Sequence, residues 1–170
     1  MTDHIRPATP ADLARIAEIE VFNYRLNFYP IFKNDDYYFH ELQVPALTED
    51  FRRDSTFLRS TYVYDDGVVK GFIQAENGQI RKLFVEPVLQ GHGIGSALLE
   101  FAVDSLSAES LWALEKNSRA IAFYSRYGFR LTDERKPEDD TEEYLVRVMR
   151  TNFSSEIAGI PPKRLQNPAG

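Results

Sequence analysis

The spacing of apolar residues in the first third of the chain predicts one strand followed by two helices. Residues 4–7 are strand-like, and the segment that begins at Pro10, with Thr9 as its cap, carries apolar residues close to helical spacing. Those apolar positions are Leu13, Ile16, Ala17, Ile19 and Val21. A further helix is expected over residues 42–53.

Two tight-turn signals divide the next segment into antiparallel strands. An Asp-Gly turn at residues 65–67 joins strands predicted over 61–64 and 68–75. An Asn-Gly turn at 77–78 leads into a strand over 80–85, whose last three residues are all apolar. A continuous apolar run is typical of a strand that is covered on both faces. We therefore expect three antiparallel strands, the last of them central in the sheet.

The second half of the chain alternates helices and short strands. The sequence QGHGIG at residues 90–95 opens a helix with one apolar face, and a short apolar strand follows at 111–114. Residues 117–128 begin with a capping asparagine and end with a glycine, as a complete helix does. Closing strands are predicted over 129–132 and 144–149, with an acidic loop between them.

Composition narrows the class of protein. A chain of 170 residues with 43% hydrophobic and 27% charged residues is typical of one packed domain, predicted over 1–150, while the proline-rich tail, 151–170, has no predicted structure. The net charge of −6 disfavours nucleic acid as a partner. The absence of cysteine excludes disulfides, thiolate metal sites and a cysteine nucleophile. The lack of a leader or an apolar span predicts a cytoplasmic protein without a membrane partner.

Glycines alternate where the predicted strand at 80–85 leads into a helix. Gly91, Gly93 and Gly95 uncover backbone N–H groups in front of the positive end of that helix, an arrangement that favours a phosphate. A glycine-rich turn that binds nothing is the alternative. A Walker loop is excluded, because Ser96 and Ala97 stand where it needs a lysine followed by a hydroxyl residue.

A dinucleotide-binding loop also stays open. Its glycine pattern would use Gly93 and Gly95 but would then meet Leu98, a bulky residue where close helix packing needs glycine or alanine. Glu115 would be its acidic residue about twenty positions further on. This alternative implies an NAD(P)-dependent oxidoreductase.

QGHGIG, the preceding LFVEP and the later NSRAIAFYSRYGF together resemble the GCN5-related N-acetyltransferase (GNAT) superfamily. The resemblance covers residues 4–149 and is most specific over 83–129. It implies an α+β fold with a mostly antiparallel, mixed sheet of six or seven strands, flanked by about four helices. The sheet would splay between two parallel strands, 80–85 and 111–114, and the first of these would carry a bulge. Acetyl-coenzyme A (acetyl-CoA) would lie in the opening.

The resemblance also implies how the chain would hold acetyl-CoA. The pyrophosphate would bind the amides of 91–96, with Gln90 holding the loop, and the pantetheine arm would pair with the backbone of Leu83 and Val85. Asn117 would contact the arm, cap its own helix, or do both. The cofactor-binding residues implied are Leu83, Phe84, Val85, Gln90, Gly91, His92, Gly93, Ile94, Gly95, Ser96 and Asn117. His92 would contribute its backbone, and no metal is expected because the histidines show no ligand spacing.

The lack of cysteine favours direct attack of an acceptor amine on the thioester in a ternary complex. By resemblance, Tyr124 protonates the leaving thiolate, and a core tyrosine is the structural alternative. A backbone N–H near the strand bulge, at Phe84 or Val85, would stabilise the oxyanion.

The general base is less clear from the sequence. Several relatives carry a glutamate where this chain has Gln79, an amide that cannot accept the proton. Glu115, acting through water, is the first candidate and Glu76 the second. A solvated surface position is an equal alternative for both.

The acceptor site is expected in the aromatic segment 22–39, where eight of eighteen residues are aromatic. Tyr24, Phe28 and Tyr29 are the predicted acceptor-binding residues, and the acids of 133–143 would attract a cationic amine. Core packing or a homodimer surface would equally explain the aromatics, and solvent exposure the acids. The acceptor is expected to be a small-molecule or peptide amine. A non-catalytic acyl-CoA-binding sensor is the remaining alternative function.

Overall fold

A computed structural model describes residues 3–151, which form seven β-strands and five α-helices. The strands are β1 (Ile5–Pro7), β2 (Thr61–Asp65), β3 (Val69–Glu76), β4 (Gln79–Val85), β5 (Ser110–Leu114), β6 (Phe129–Pro137) and β7 (Tyr144–Arg150). The helices are α1 (Leu13–Asn27), α2 (Tyr29–Phe32), α3 (Val44–Arg53), α4 (Ile94–Leu106) and α5 (Ser118–Ser125). The strand order is β1-β2-β3-β4-β5-β7-β6, in a mixed sheet. The predicted α+β fold class is confirmed.

The chain divides into two compact units, Met1–Trp112 and Ala113–Gly170. The single domain over residues 1–150 stays a prediction. The tail predicted over 151–170 lies, from residue 152 onward, outside the residues that the structure describes. No helix within residues 3–151 is both long and apolar enough to cross a membrane.

In the first unit, four strands pair antiparallel in chain order, from β1 to β4. β4 then pairs in parallel with the start of β5, where Gln79 faces Ser110 and Ile80 faces Leu111. The parallel pairing predicted from the family resemblance is therefore present, and it involves the first residues of both strands.

β4 carries the expected bulge, but at a different residue. The register between β3 and β4 shifts between Gln74 and Ala75, which leaves Arg81 as the extra residue on β4. A bulge near Phe84 or Val85 is expected from the resemblance, but both of these residues pair with β3 in regular register. The expected position is wrong because pairing register depends on both strands, and a resemblance of one short segment does not fix it.

One face of this sheet packs on α1 and α3. Leu13, Ile16 and Ile19 of α1 recur at helical spacing and are fully buried, and they belong to a core cluster that includes Phe72 of β3. Burying each such side chain contributes about 1.5–3 kcal/mol. The helix is thus held against the central strands by its apolar stripe.

The second unit contains the end of β5, α5 and the β6–β7 hairpin. The ring of Tyr124 on α5 lies 5.7 Å from the ring of the fully buried Phe129. β6 continues to Pro137, so Asp133 and Glu134 belong to a strand rather than to the predicted acidic loop. The pairing of β6 with β7 is irregular between Leu131 and Arg135, and within this stretch Glu134 Oε2 lies 3.0 Å from Arg147 Nη1.

Candidate active site

The glycine loop adopts a backbone that requires glycine at two positions. Gly91 and Gly93 both have φ of 85°, in the left-handed region. A Cβ at either position would meet nothing within 4 Å, so the constraint is the backbone conformation and not crowding. The first intrahelical hydrogen bond of α4 runs from Ala97 N–H to the Gly93 carbonyl, at 3.0 Å. The turn before it is the positive end of the helix, where an anion is stabilised.

Gln90 ties this loop to the end of the central strand. Its Nε2 donates to the carbonyl of Val85 at 3.2 Å and to Oδ1 of Asn23 at 3.1 Å. Gln90 therefore holds the loop by side-chain hydrogen bonds, in the manner expected from the sequence. The exposed His92 has Nδ1 3.0 Å from the Leu89 carbonyl. Within residues 3–151 there is no group of three or more histidines and acids that could hold a metal ion.

The backbone of β4 alternates between facing β3 and facing away from it. Glu86 N–H donates to the Lys70 carbonyl at 2.9 Å, so the backbone groups of Glu86 face β3. This hydrogen bond sets which of the preceding β4 residues also face β3. Because antiparallel partners alternate, the backbone groups of Phe84 face β3, and those of Leu83 and Val85 are directed away from it. Of the two predicted oxyanion donors, only Val85 N–H is thus directed away from β3.

Of the predicted acceptor residues, Tyr24 lies against the central strand and Phe28 packs on Tyr24. The Tyr24 ring lies 5.7 Å from the Phe84 ring and 4.8 Å from the Phe28 ring, edge to face in both cases. Tyr29 is further along the chain, and its hydroxyl donates to Asp35 Oδ1 at 2.5 Å. This hydrogen bond raises the pKa of the Tyr29 phenol.

The aromatic segment forms a broken helix. It includes the end of α1, α2 and part of a π-helical turn, Tyr37–Glu41. Buried Val21, Tyr38 and Leu42 form a small core onto which the remaining large side chains pack. Those packed side chains are Tyr24, Phe28, Tyr29, Phe32, Val44 and Leu47. Core packing therefore accounts for part of the aromatic content, and acceptor binding stays a prediction.

A buried ion pair links α1 to β4, and it is not among the features predicted from the sequence. Glu20 of α1 is 2% exposed, and Lys82 Nζ of β4 donates to both of its carboxylate oxygens, at 2.9 and 3.0 Å. Burial raises the pKa of Glu20, and the charge of Lys82 opposes that shift. The available signal was an acid between Ile19 and Val21, inside the apolar run of α1.

Asn117 and Tyr124 belong to the second unit. Asn117 Oδ1 accepts a hydrogen bond from Ala120 N–H at 3.2 Å, so its predicted role as a helix cap is confirmed. Tyr124 is 8% exposed and its ring meets those of Phe123 and Phe129, as in the core alternative. Burial raises the pKa of the Tyr124 phenol, which is therefore protonated at neutral pH.

Both candidate bases are ion-paired with arginines. Glu115 is about half exposed at 46%, and Arg135 donates to its two oxygens at 3.0 Å each. Glu76 Oε2 lies 3.6 Å from Arg81 Nε, the bulge residue of β4. Each carboxylate is thus already bound by a guanidinium group of its own unit.

The chain matches the sequence model of the acetyltransferase (GNAT) domain over residues 58–131. It is 26% identical over 105 residues to the peptidyl-lysine N-acetyltransferase YjaB of Salmonella typhimurium, an alignment that covers 62% of this chain and 71% of YjaB. It is 33% identical over 70 residues to the peptidyl-lysine N-acetyltransferase YiaC of Escherichia coli, covering 41% of this chain and 48% of YiaC.

Solved structures share the fold at low sequence identity. The solution structure of apo YjaB from Escherichia coli matches with a TM-score of 0.69 and 21% identity, covering 87% of this chain and 97% of YjaB. The PaiA N-acetyltransferase of Thermoplasma acidophilum, solved with coenzyme A, matches with a TM-score of 0.59 and 18% identity, covering 84% and 96%. Residues 58–131, which include β2 to β5 and the glycine loop, thus match the acetyltransferase (GNAT) domain, and the described part of the chain shares the fold of these solved N-acetyltransferases.

Proposed function

We propose that this protein is an acetyl-CoA-dependent N-acetyltransferase whose acceptor is a primary amine. Acetyl-CoA supplies an acetyl thioester, and its reaction with the amine forms a C–N bond, breaks the C–S bond and releases coenzyme A as the thiol. The observation that carries the proposal is the loop that Gln90 ties to the end of β4, with left-handed glycines at 91 and 93.

The residues of the loop fit the phosphates of such a donor. The first turn of α4 offers N–H groups to an anion, and the space beside Gly91 and Gly93 is open to 4 Å. We assign the diphosphate to the amides from Gly91 to Ser96, and the pantetheine arm to the backbone of Leu83 and Val85. The direction of their backbone groups, away from β3, supports this assignment.

Val85 N–H is the proposed oxyanion donor. A backbone donor that is fixed before the reaction is worth about 3–4 kcal/mol of transition-state stabilisation. The Val85 carbonyl is already held by Asn23 Nδ2 at 2.9 Å and by Gln90, which limits the movement of this end of the strand. Phe84, whose backbone faces β3, contributes its ring to the acceptor side instead.

Tyr124 is the proposed general acid from the second unit. Its neutral phenol can donate to the developing thiolate, a contribution of about 10²–10⁴ in rate. The side-chain Oδ1 of Asn117 accepts the hydrogen bond of the helix cap, so we assign the Nδ2 of the same amide to the cofactor arm. Glu115 is proposed to take the amine proton through water, with its orientation set by Arg135.

The lysine side chain of a peptide is the acceptor class we propose, with a small-molecule amine as the alternative. The names of two similar proteins, both peptidyl-lysine N-acetyltransferases, support this choice. Tyr24, Phe28 and Tyr29 are the proposed acceptor-binding residues, because an aromatic surface attracts an alkylammonium group. A homodimer that covers the exposed Phe22 and Phe39 is proposed as the assembly.

A thiol-release assay on the full chain tests the function. Acetyl-CoA is supplied with a lysine peptide, its N-acetylated-lysine counterpart or a short polyamine, and free coenzyme A is followed with time. We expect release with the lysine peptide and none with the blocked peptide. Thermal stabilisation by acetyl-CoA but not by NADH would exclude the oxidoreductase, whereas binding without any release would indicate a sensor.

A further inference from the structure

Asn23 of α1 is a buried polar residue with a full set of hydrogen bonds. It is 2% exposed, and its Nδ2 donates to the carbonyls of Ile19 at 2.8 Å and Val85 at 2.9 Å. Its Oδ1 accepts from Gln90 Nε2 at 3.1 Å and from Asn27 Nδ2 at 3.4 Å. Both donors and both acceptor sites of the amide are therefore used.

This position needs an amide and no other short side chain. An aspartate could accept from Gln90 but could not donate to Val85, and a leucine could do neither. A buried amide costs free energy unless all its hydrogen bonds are made, so packing alone would favour an apolar residue in this helix. The network thus points to a role for Asn23 other than burial.

The network joins three parts of the proposed site. Asn23 lies on α1 immediately before Tyr24, it holds the carbonyl at the end of β4, and it receives the side chain that tethers the glycine loop. Gln90 and Val85 also bond directly, which closes a triangle of three residues. Each of the three residues is therefore held by hydrogen bonds to the other two.

We propose that Asn23 is a positioning residue that orients Gln90 and the glycine loop for the diphosphate of coenzyme A. This inference rests on the proposed function. Asn23 itself does not touch the reacting atoms. It acts through Gln90, so its loss lets the loop backbone at Gly91 and Gly93 sample more conformations and weakens binding of the anion.

The experiment uses the full chain and two readouts, and one of these readouts needs no ligand. ¹⁵N relaxation gives the backbone order parameters of Gly91 and Gly93, and calorimetry gives the Kd for coenzyme A. We expect Asn23→Ala to lower both order parameters and to raise the Kd about fivefold to tenfold, the weight of one or two hydrogen bonds. Asn23→Asp keeps the acceptor for Gln90 but sets a buried carboxylate against the Ile19 and Val85 carbonyls, so it should raise the Kd at least as much as alanine does.

Matched controls separate positioning from stability. Asn27→Ala removes the longest contact of the network, and Ile16→Val trims a buried apolar residue on the same helix. Both should leave the Kd within twofold, even where the melting temperature falls. Gln90→Ala should reproduce the effect of Asn23→Ala, and the double variant should be weaker than wild type by less than the product of the two single effects.

The outcomes are distinguishable. Unchanged order parameters and an unchanged Kd in Asn23→Ala would overturn the inference while leaving the proposed function intact. Failure of wild type to bind coenzyme A would overturn the proposed function, and the order parameters would still decide whether Asn23 orders the loop. If Asn23→Ala does not fold, Gln90→Ala carries the same comparison, because it removes the hydrogen bond between these two residues from the other side.

Discussion

Lys82 and Glu20 form a two-point ion pair that links the central strand to α1, and the Lys82 ammonium lies 5.0 Å above the ring of Phe51. The carboxylate is fully buried, whereas about a quarter of the lysine side chain is exposed. Burial of a carboxylate is costly unless its partner is present. The pair therefore predicts a marked asymmetry between breaking it and replacing it.

We expect Lys82→Met to lower the free energy of unfolding by about 2–3 kcal/mol at pH 7, because Glu20 is left buried without a cation. The double variant Glu20→Leu/Lys82→Met should lie within about 1 kcal/mol of wild type. Urea unfolding of the single and double variants measures both quantities. If the double variant is as unstable as the single one, the pair stabilises the fold by more than the neutralisation of the buried Glu20 charge.

The pH dependence of stability should carry the signature of Glu20. Its pKa is raised by burial, so the folded chain binds the proton more tightly than the unfolded chain does. Below the usual glutamate pKa of about 4.3, both states are protonated and no cost arises. As pH rises through the folded pKa, the cost of ionising the buried carboxylate appears and the stability contribution of Glu20 falls.

The measurement is the difference in unfolding free energy between wild type and Glu20→Gln from pH 4 to pH 7. We expect wild type to lose stability relative to the variant as pH increases. Glu41→Gln, at an exposed glutamate, should show a flat difference. A difference that rises with pH would mean that Lys82 lowers the Glu20 pKa more than burial raises it.

Tyr124→Phe should lower kcat about 10²-fold or more and leave the Kd for coenzyme A within twofold, because only the hydroxyl is lost. Steady-state thiol release and calorimetry give the two numbers. Tyr127→Phe, just beyond the same helix, is the control and should retain activity. A kcat within threefold of wild type would make Tyr124 a packing residue.

Gly93→Asp should abolish measurable coenzyme A binding, because it adds a carboxylate to the loop at a residue that precedes α4 directly. Gly93→Ala shares the strain of the left-handed backbone, a cost of about 1–2 kcal/mol, without the charge. We expect alanine to weaken binding less than aspartate. Gly67→Asp, at another left-handed glycine, controls for added charge and should bind normally.

Local signals identified most of the elements. The Asp-Gly turn at residues 65–67 and the cap by Asn117 depend on neighbours within a few residues, so the sequence pattern contains them. The family motif likewise indicated the loop and the role of Gln90. In these cases the information lies within one short segment of the chain.

Contacts between distant segments were not predictable. Lys82 and Glu20 are 62 residues apart, as are Asn23 and Val85, and no periodicity reports which side chains a fold brings together. The bulge at Arg81 had the same difficulty, because pairing register is a property of two strands. Residue type alone also does not distinguish an acceptor-binding role of Tyr24 and Phe28 from a role in core packing.

The bulge at Arg81 determines which side chains of β4 lie on each face of the sheet. Ile80, Leu83 and Val85 share the sheet face of Gly71, where a Cβ would meet Leu98 and Ile94 of α4, while Lys82 and Phe84 take the opposite face. Deleting Arg81 would restore regular pairing and keep these faces, whereas deleting Leu83 would exchange the faces of Phe84 and Val85. We therefore expect the sheet to tolerate loss of the bulge residue better than loss of its neighbour Leu83, so the effect of a deletion in β4 depends on where it falls.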